Sequence, residues 1–216
     1  MCLMTHFSIG KGRSAMEGKM QKKLEEIFEW FHRNPELSYE EYRTTERIRQ
    51  LLTDAGIEIL PLPLETGLAA VIRGEKEGPV QALRCDIDAL PIMEETGLPY
   101  SSETPGRMHA CGHDFHITAG IGTAFLLQER RRELAGTVKL LFQPGEESSL
   151  GALKILETDV CDDVQLFWGL HADPTNEAGV IGLREGAVGA ATALTRMTEW
   201  IPFPPHAPLY RRCRPS

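Results

Sequence analysis

Hydrophobic residues recur every three or four positions across residues 19–33, and this spacing predicts an amphipathic helix. The helix should end before Pro35, because proline disfavours helical geometry in the residue that precedes it. Residues 38–41 (SYEE) have the spacing of a capping box, in which Ser38 and Glu41 satisfy the first backbone amides of a helix. A second helix is therefore predicted up to Ala55, with Gly56 as its left-handed stop.

Short apolar runs separated by helical patterns dominate the middle of the chain. A chain that alternates strands with helices favours an α/β sheet with helices packed on its faces. The predicted strands cover residues 68–72, 80–83, 137–142 and 164–170, and the predicted helices cover residues 113–131 and 149–157.

The pattern divides the chain into three parts. Residues 19–191 carry the alternating pattern and predict one domain, preceded by an N-terminal extension over residues 1–18. Residues 192–216 differ from the rest, since they contain five prolines and four arginines but a single acid, Glu199. This segment is either a solvated Pro/Arg-rich tail or the product of a change of reading frame near Ala191.

Composition narrows the class of protein. The chain has 216 residues, of which 42% are hydrophobic and 25% charged, which is the balance of a soluble globular protein. A net charge of −8 argues against nucleic acid as a partner, because phosphate binding needs a basic surface. No apolar run approaches the length of a membrane span. Five widely spaced cysteines favour free thiols in a reducing compartment, and we expect a cytoplasmic protein.

Two motifs before and at the start of the long central helix could carry chemistry. Asp86 and Asp88 alternate directly after an apolar run, where they could support a metal or orient a ligand histidine; the alternative is a solvated turn. Cys111 and His113 frame a glycine, and thiolate and imidazole are common ligands of divalent ions. The alternative there is a buried thiol beside unrelated histidines. A cysteine-protease site fits less well, because its cysteine and histidine are normally distant in sequence.

Two further motifs follow predicted strands. Glu146 and Glu147 come after the run TVKLLF, and His171 comes after VQLFWGL. One glutamate could bind a metal while its neighbour acts as general base on the activated water. A surface acidic pair and a structural histidine are the alternatives. In open α/β sheets the carboxyl ends of the strands form the ligand-binding edge, so all four motifs should meet there.

The motifs together resemble a known family of metal-dependent amidohydrolases. The resemblance rests on HRNPELSYEEYRTTERI, RCDIDALPIMEETGLPYSS, MHACGHDFH, LLFQPGEE and FWGLHADP, and covers about residues 24–191. The family includes hippurate hydrolase, the hydrolases of indole-acetyl amino acids and N-acetyldiaminopimelate deacetylase, and is related to aminoacylase and zinc carboxypeptidases. The resemblance implies a three-layer α/β catalytic domain of the zinc-peptidase type.

The same resemblance implies a reaction and a site. The reaction is hydrolysis of the amide bond of an N-acyl amino acid, or of a small peptide-like amide, by metal-activated water. The cofactors would be two divalent ions, manganese or zinc. The implied roles are a bridging ligand at Cys111, ligands of one ion at His113 and Glu147, a ligand of the other ion at His171, the general base at Glu146, and an orienting acid at Asp88, assisted by Asp86.

The chain also departs from the family pattern. Family members are nearly twice as long, with an inserted lid and dimerisation domain after the region that corresponds to residues 189–191, and a C-terminal part that completes the site. Neither is recognisable here, so the sequence predicts an incomplete catalytic domain. Two hypotheses follow: a working hydrolase of N-acyl amino acids, or a truncated, inactive relative that keeps a partial metal site and binds one ion or none. A sheet cut before its last strands would expose an edge through which copies could associate.

Overall fold

The computed structural model describes residues 15–172, with side chains from residue 18 onward. Most of the predicted N-terminal extension lies outside the described residues, as do the region at residues 189–191 and the Pro/Arg-rich tail. In the described part of the chain, no helix combines the length and the apolar character that a bilayer crossing requires.

Four α-helices, five strands and one 3-10 helix form the described part. Each predicted strand and helix is present, with ends that shift by a few residues. In chain order they are α1 (Ala15–Arg33), α2 (Tyr42–Asp54), β1 (Glu58–Leu60), β2 (Leu68–Arg73), β3 (Lys76–Asp86), α3 (His113–Glu129), β4 (Ala135–Gln143), α4 (Gly151–Leu156), a 3-10 helix (Asp159–Cys161) and β5 (Leu166–Gly169).

The five strands form one mixed sheet in the order β1-β2-β4-β3-β5. β3 runs parallel to both β4 and β5, whereas β2 runs antiparallel to β1 and to β4. Asp86 at the end of β3 pairs with Gln143 at the end of β4. The three parallel strands therefore present their carboxyl ends at the same edge of the sheet, as the sequence predicted.

Helices cover both faces of the sheet. Successive residues of a strand point to opposite faces, and the apolar residues of β2 therefore pack into two separate cores. In β2, Leu68, Ala70 and Ile72 belong to the larger core, which also contains buried residues of α1, α2 and α3. Ala69 belongs to a second core, formed with Ile155 of α4 and the 3-10 helix. The result is three layers, which confirms the predicted α/β class.

The N-terminus of α2 is capped differently from the prediction. Ser38 does not bind the first amides of the helix; its hydroxyl donates to Asp88 Oδ2 at 2.7 Å. The carboxylate of Glu36 takes the capping role, accepting the backbone N–H groups of Arg43 and Thr44 at 3.2 and 2.7 Å. The capping-box prediction was wrong because tertiary contacts gave the serine a different partner.

The segment that follows α2 contains a left-handed glycine and a short strand. Gly56 follows α2 with φ of +71°, which confirms the predicted left-handed stop. β1 was not predicted, because three residues are too few to show an alternating pattern.

Candidate metal centre

The four chemical motifs meet at the carboxyl edge of the sheet. Each of these side chains lies at or after the end of a parallel strand, or at the start of helix α3. Asp86 ends β3, Glu146 and Glu147 follow β4, His171 follows β5, and Cys111 and His113 lie at the start of α3.

Gly112 lets the chain turn between the two ligand candidates of the second motif. It is the N-cap of α3 and adopts φ of +81°, a left-handed conformation that favours glycine. The turn brings Cys111 and His113 next to Glu147. Potential ligand atoms of these three residues all lie within 4.8 Å of one another.

His113 is held by one ring nitrogen and leaves the other unused. Nδ1 lies 2.8 Å from the backbone carbonyl oxygen of Asp88 and 3.2 Å from its Oδ1. A carbonyl oxygen only accepts, so Nδ1 carries a proton and donates it. Nε2 is buried with no hydrogen-bond partner. It faces Glu147 Oε1 at 3.8 Å and Glu146 Oε2 at 3.9 Å.

Asp88 organises this arrangement through both carboxylate oxygens. Oδ1 faces His113, while Oδ2 accepts the Ser38 hydroxyl at 2.7 Å and the backbone N–H of Glu147 at 2.9 Å. Asp86 and Asp88 are each 1% exposed. The alternative of a solvated turn for these two acids is therefore wrong.

The electrostatics of the three-residue group favour a bound cation. Burial, together with the charges of Glu147 and Glu146, raises the pKa of the Cys111 thiol to about 12. Burial disfavours the charged form of His113, yet the hydrogen bond to Asp88 and the neighbouring carboxylates outweigh it and raise its pKa to about 9. A divalent ion would replace these protons and offset the crowded negative charge.

Glu146 lies beside the group but in a different environment. Burial raises the pKa of its carboxyl, as do Asp86 and Glu147, while the guanidinium of Arg84 opposes that shift. Arg84 Nη2 lies 3.9 Å from Glu146 Oε1. A half-buried carboxylate with a raised pKa suits a group that takes and returns a proton.

A second cluster at the same edge was not assigned from the sequence. His116 Nδ1 lies 2.5 Å from Asp86 Oδ1. Arg84 Nη1 lies 2.5 Å from Asp86 Oδ2, and Arg84 Nε donates to Gln143 Oε1 at 2.7 Å. The sequence contained one signal for His116: it is three residues after His113, so both lie on one face of α3.

His171 lies next to this second cluster. Its ring centroid is 5.2 Å from that of His116, with the two planes tilted by 57°. Among the described residues, His171 belongs to neither group of three potential ligands that lie within 4.8 Å of one another.

The loop that carries the two glutamates is fixed by the turn before α2. Glu41 is fully buried, and its Oε1 accepts the backbone N–H of Gly145 at 2.8 Å. The Ser148 hydroxyl donates to the backbone carbonyl oxygen of Gly145 at 2.7 Å and lies 2.8 Å from the Tyr39 hydroxyl. Tyr39 itself has φ of +66°, a strained conformation for a large side chain. The ring of Tyr39 lies so close to Gly145 that a Cβ there would be 2.5 Å from it.

The residues present fit a divalent metal ion. The carrying observation is the unpartnered, buried Nε2 of His113, which faces Glu147 and belongs to one close group with Cys111 and Glu147. Metal-binding histidines usually donate their other ring N–H to a carboxylate or carbonyl, as His113 does to Asp88. Sulfur, nitrogen and oxygen donors together suit zinc and related ions.

Comparison with known proteins gives consistent similarities. A profile described as Peptidase family M20/M25/M40 matches residues 82–213. N-acetylcysteine deacetylase of Bacillus subtilis (strain 168) is 52% identical over 161 residues, which are 74% of this chain and 42% of that protein. IAA-amino acid hydrolase ILR1-like 5 of Arabidopsis thaliana is 40% identical over 183 residues, covering 82% of this chain and 42% of that protein.

A solved structure shows the same fold. It is a Bacillus subtilis protein described as a dinuclear metal binding peptidase from M20 family, with a TM-score of 0.77 and 48% sequence identity. The match covers 79% of this chain and 48% of that chain. The chain thus spans about two fifths of the length of the curated relatives it matches.

Proposed function

Because the chain belongs to peptidase family M20/M25/M40, we propose that it is a metal-dependent amidohydrolase that cleaves the amide bond of N-acyl amino acids or of a small peptide-like amide. Residues 19–191 would form the N-terminal part of the catalytic domain. The observation that carries the proposal is the buried, unpartnered Nε2 of His113 beside Cys111 and Glu147.

The close group of Cys111, His113 and Glu147 supports three of the proposed ligands, and the family resemblance supports the fourth, His171. His113 and Glu147 would hold one ion, Cys111 would bridge to a second, and His171 would bind that second ion. When bound, divalent ions acidify water and polarise a carbonyl group, which is the chemistry that amide hydrolysis needs. The thiolate and imidazoles favour zinc, and the carboxylate tolerates manganese.

The chain's own residues would perform the proton transfers. Glu146 lies within 4 Å of His113 Nε2 but, unlike His113, is half-buried, so it can reach a water molecule at the site. Glu146 would accept a proton from the attacking water and deliver it to the amine nitrogen that leaves. Asp88 would keep His113 in one tautomer, since its carbonyl oxygen can only accept from Nδ1.

Substrate class is supported by the names of the similar proteins. One is named a deacetylase of N-acetylcysteine and the other a hydrolase of IAA-amino acids, so both names describe an acyl group joined to an amino acid. We propose an N-acyl amino acid as the substrate of this chain. Free Cys85, Cys111 and Cys161 in the described region support a reducing compartment such as the cytoplasm.

The test combines metal content with turnover. Purified chain would be analysed for bound metals and for release of free amino acid from N-acetyl and N-benzoyl amino acids. Glu146→Gln should lower turnover by about 100-fold or more, because it removes the general base, while metal content stays unchanged. Glu77→Gln is the matched control, because Glu77 is exposed near the opposite end of β3.

Two outcomes would contradict the proposal. Turnover retained in Glu146→Gln would show that this carboxylate is not the base. A wild-type chain that binds one ion or none and releases no amino acid would instead identify an inactive relative with a partial metal site.

A further inference from the structure

His116 connects the end of β3 to the segment that carries His171. It is fully buried, with Nδ1 2.5 Å from Asp86 Oδ1 and Nε2 accepting the backbone N–H of Ala172 at 2.8 Å. We propose that His116 is a positioning residue, which holds the Ala172 amide and thereby places His171 at the metal centre. This inference rests on the proposed function, because it takes His171 as a metal ligand.

The two hydrogen bonds define the tautomer of His116. A backbone N–H can only donate, so Nε2 must offer a lone pair to Ala172. The proton is then on Nδ1, which donates to Asp86. Asp86 is in turn bound by Arg84, and Arg84 is bound by Gln143 at the end of β4. A continuous set of hydrogen bonds therefore runs from β4 through β3 and α3 to Ala172.

The same contacts argue that His116 is not itself a metal ligand. Asp86, His113 and His116 have potential ligand atoms within 4.8 Å of one another, so position alone would allow an ion among them. Both nitrogens of His116 are already engaged, however, and each oxygen of Asp86 has a partner within 2.5 Å. In this group only His113 Nε2 is a buried nitrogen without a partner.

Ala172 is also packed against the start of α3. A Cβ built on Gly112 would lie 3.1 Å from the Cβ of Ala172, so the two residues are in close approach. Gly112 separates the proposed ligands Cys111 and His113. The pairing of β5 with β3 ends at Gly169. After Gly169, the hydrogen bond from the Ala172 N–H to His116 fixes the position of the backbone next to His171.

Two substitutions distinguish the hydrogen bond made by Nε2 of His116 from the one made by Nδ1. His116→Gln places an amide oxygen near the position of Nε2, so it can still accept from Ala172. His116→Asn places its amide near Nδ1, so it can still donate to Asp86 but loses contact with Ala172. The pair tests the acceptor for Ala172 while both variants keep a polar side chain in the buried position.

The first readout needs no metal. Hydrogen exchange of the Ala172 amide, followed by NMR in the metal-free chain, should be slow in the wild type and in His116→Gln and fast in His116→Asn. Ala172→Pro deletes the donor without altering His116, and Ala172→Gly keeps it. Because Ala172→Pro has no amide at position 172 to follow, this second pair is used in the metal-binding readout below, where it replaces His116→Asn if that variant does not fold.

The second readout is Co²⁺ binding, followed by its visible absorption. His116→Asn and Ala172→Pro should weaken binding of the second ion by about 10- to 100-fold, the usual effect of removing a residue that orients a ligand. His116→Gln and Ala172→Gly should stay close to the wild type. In a His171→Ala background, His116→Asn should cause no further loss, because its effect acts through His171.

The outcomes distinguish this inference from the function on which it rests. If His171→Ala leaves Co²⁺ binding unchanged, His171 is not a ligand, and both its assignment and this inference are wrong. If His171→Ala weakens binding but His116→Asn and Ala172→Pro do not, only this inference is overturned. Equal losses in His116→Asn and His116→Gln would also overturn it, since the imidazole itself would then be required.

Discussion

At the scale of single residues, the contacts of each side chain decide which substitutions its position tolerates. Asp88 accepts from Ser38, His113 and the backbone of Glu147, so one side chain joins three segments that are distant in sequence. Gly120 in α3 shows the steric side of the same packing, because a Cβ there would lie 2.6 Å from Cys85 Sγ. Cys85 is buried in β3 on a short side chain that has little room to move.

Gly120→Ala should destabilise the chain by up to about 2 kcal/mol, because overpacking a core usually costs about 1–3 kcal/mol. The gain of about 1 kcal/mol in helix propensity offsets only part of the clash with Cys85. Gly122→Ala is the matched control in the same helix, because its Cβ would meet only the flexible end of Leu24 at 3.1 Å. Urea unfolding measures both; equal stability of the two variants would contradict the packing argument.

At the scale of elements, a buried ionic junction joins α1 to α3. His32 is in the last turn of α1, and its Nδ1 lies 2.6 Å from Asp114 Oδ2 in the first turn of α3. Its Nε2 lies 3.1 Å from Glu94 Oε1 in the long loop after β3. The hydrogen bond to Asp114 raises the pKa of His32 against the opposing effect of burial, with Glu94 adding to the rise. The charged imidazolium therefore stabilises the contact between these elements.

This junction makes a prediction about pH. Because the folded-state pKa of His32 is raised above 6.5, its stabilisation is complete below that pH and is lost as the pH rises through the folded-state value. His32→Gln should lower the free energy of unfolding by about 2 kcal/mol near pH 6 and by less near pH 9. Urea unfolding at both pH values measures the difference.

The ionisable neighbours of His32 should not contribute to this difference in the free energy of unfolding between pH 6 and pH 9. Burial raises the pKa of Glu94, but backbone and side-chain hydrogen bonds outweigh it and lower the pKa to about 2, so Glu94 is ionised at both pH values. Burial lowers the pKa of nearby His109 to about 4, which keeps it neutral. Asp114 is the other hydrogen-bond partner of His32, and the Tyr100 ring packs edge-on against the imidazole. An equal loss at both pH values would contradict the assignment to His32.

At the scale of the whole molecule, β1 and β5 are the outer strands of the described sheet. β5 is only four residues long, and Trp168 on it is 44% exposed. An outer strand with exposed apolar side chains can pair with a second copy through its unpaired backbone groups.

We therefore expect the 216-residue chain to associate in solution through β5. Light scattering should detect species heavier than the 24.1 kDa monomer, and Trp168→Lys should shift the population toward monomer. Tyr42→Lys is the control, because Tyr42 is 54% exposed but lies on α2. A monodisperse wild-type monomer, or an equal effect of both substitutions, would contradict association through this edge.

The sequence by itself determined the class of fold and most of the candidate site. Apolar periodicity is a local signal, so it was enough to locate β2, β3, β4 and the helices between them. Because parallel strands place their carboxyl ends at one edge of a sheet, the sequence alone also predicts that Asp88 and Glu146 lie close together there.

Only the tertiary structure decided how those residues are held. Ser38 was expected to cap α2 but binds Asp88, and His116 received no role although it joins Asp86 to Ala172. Such partners are separated by up to 56 residues, and no local pattern specifies them. Which donor meets which acceptor depends on how the layers pack, because a buried polar group takes whichever partner the packing brings within reach.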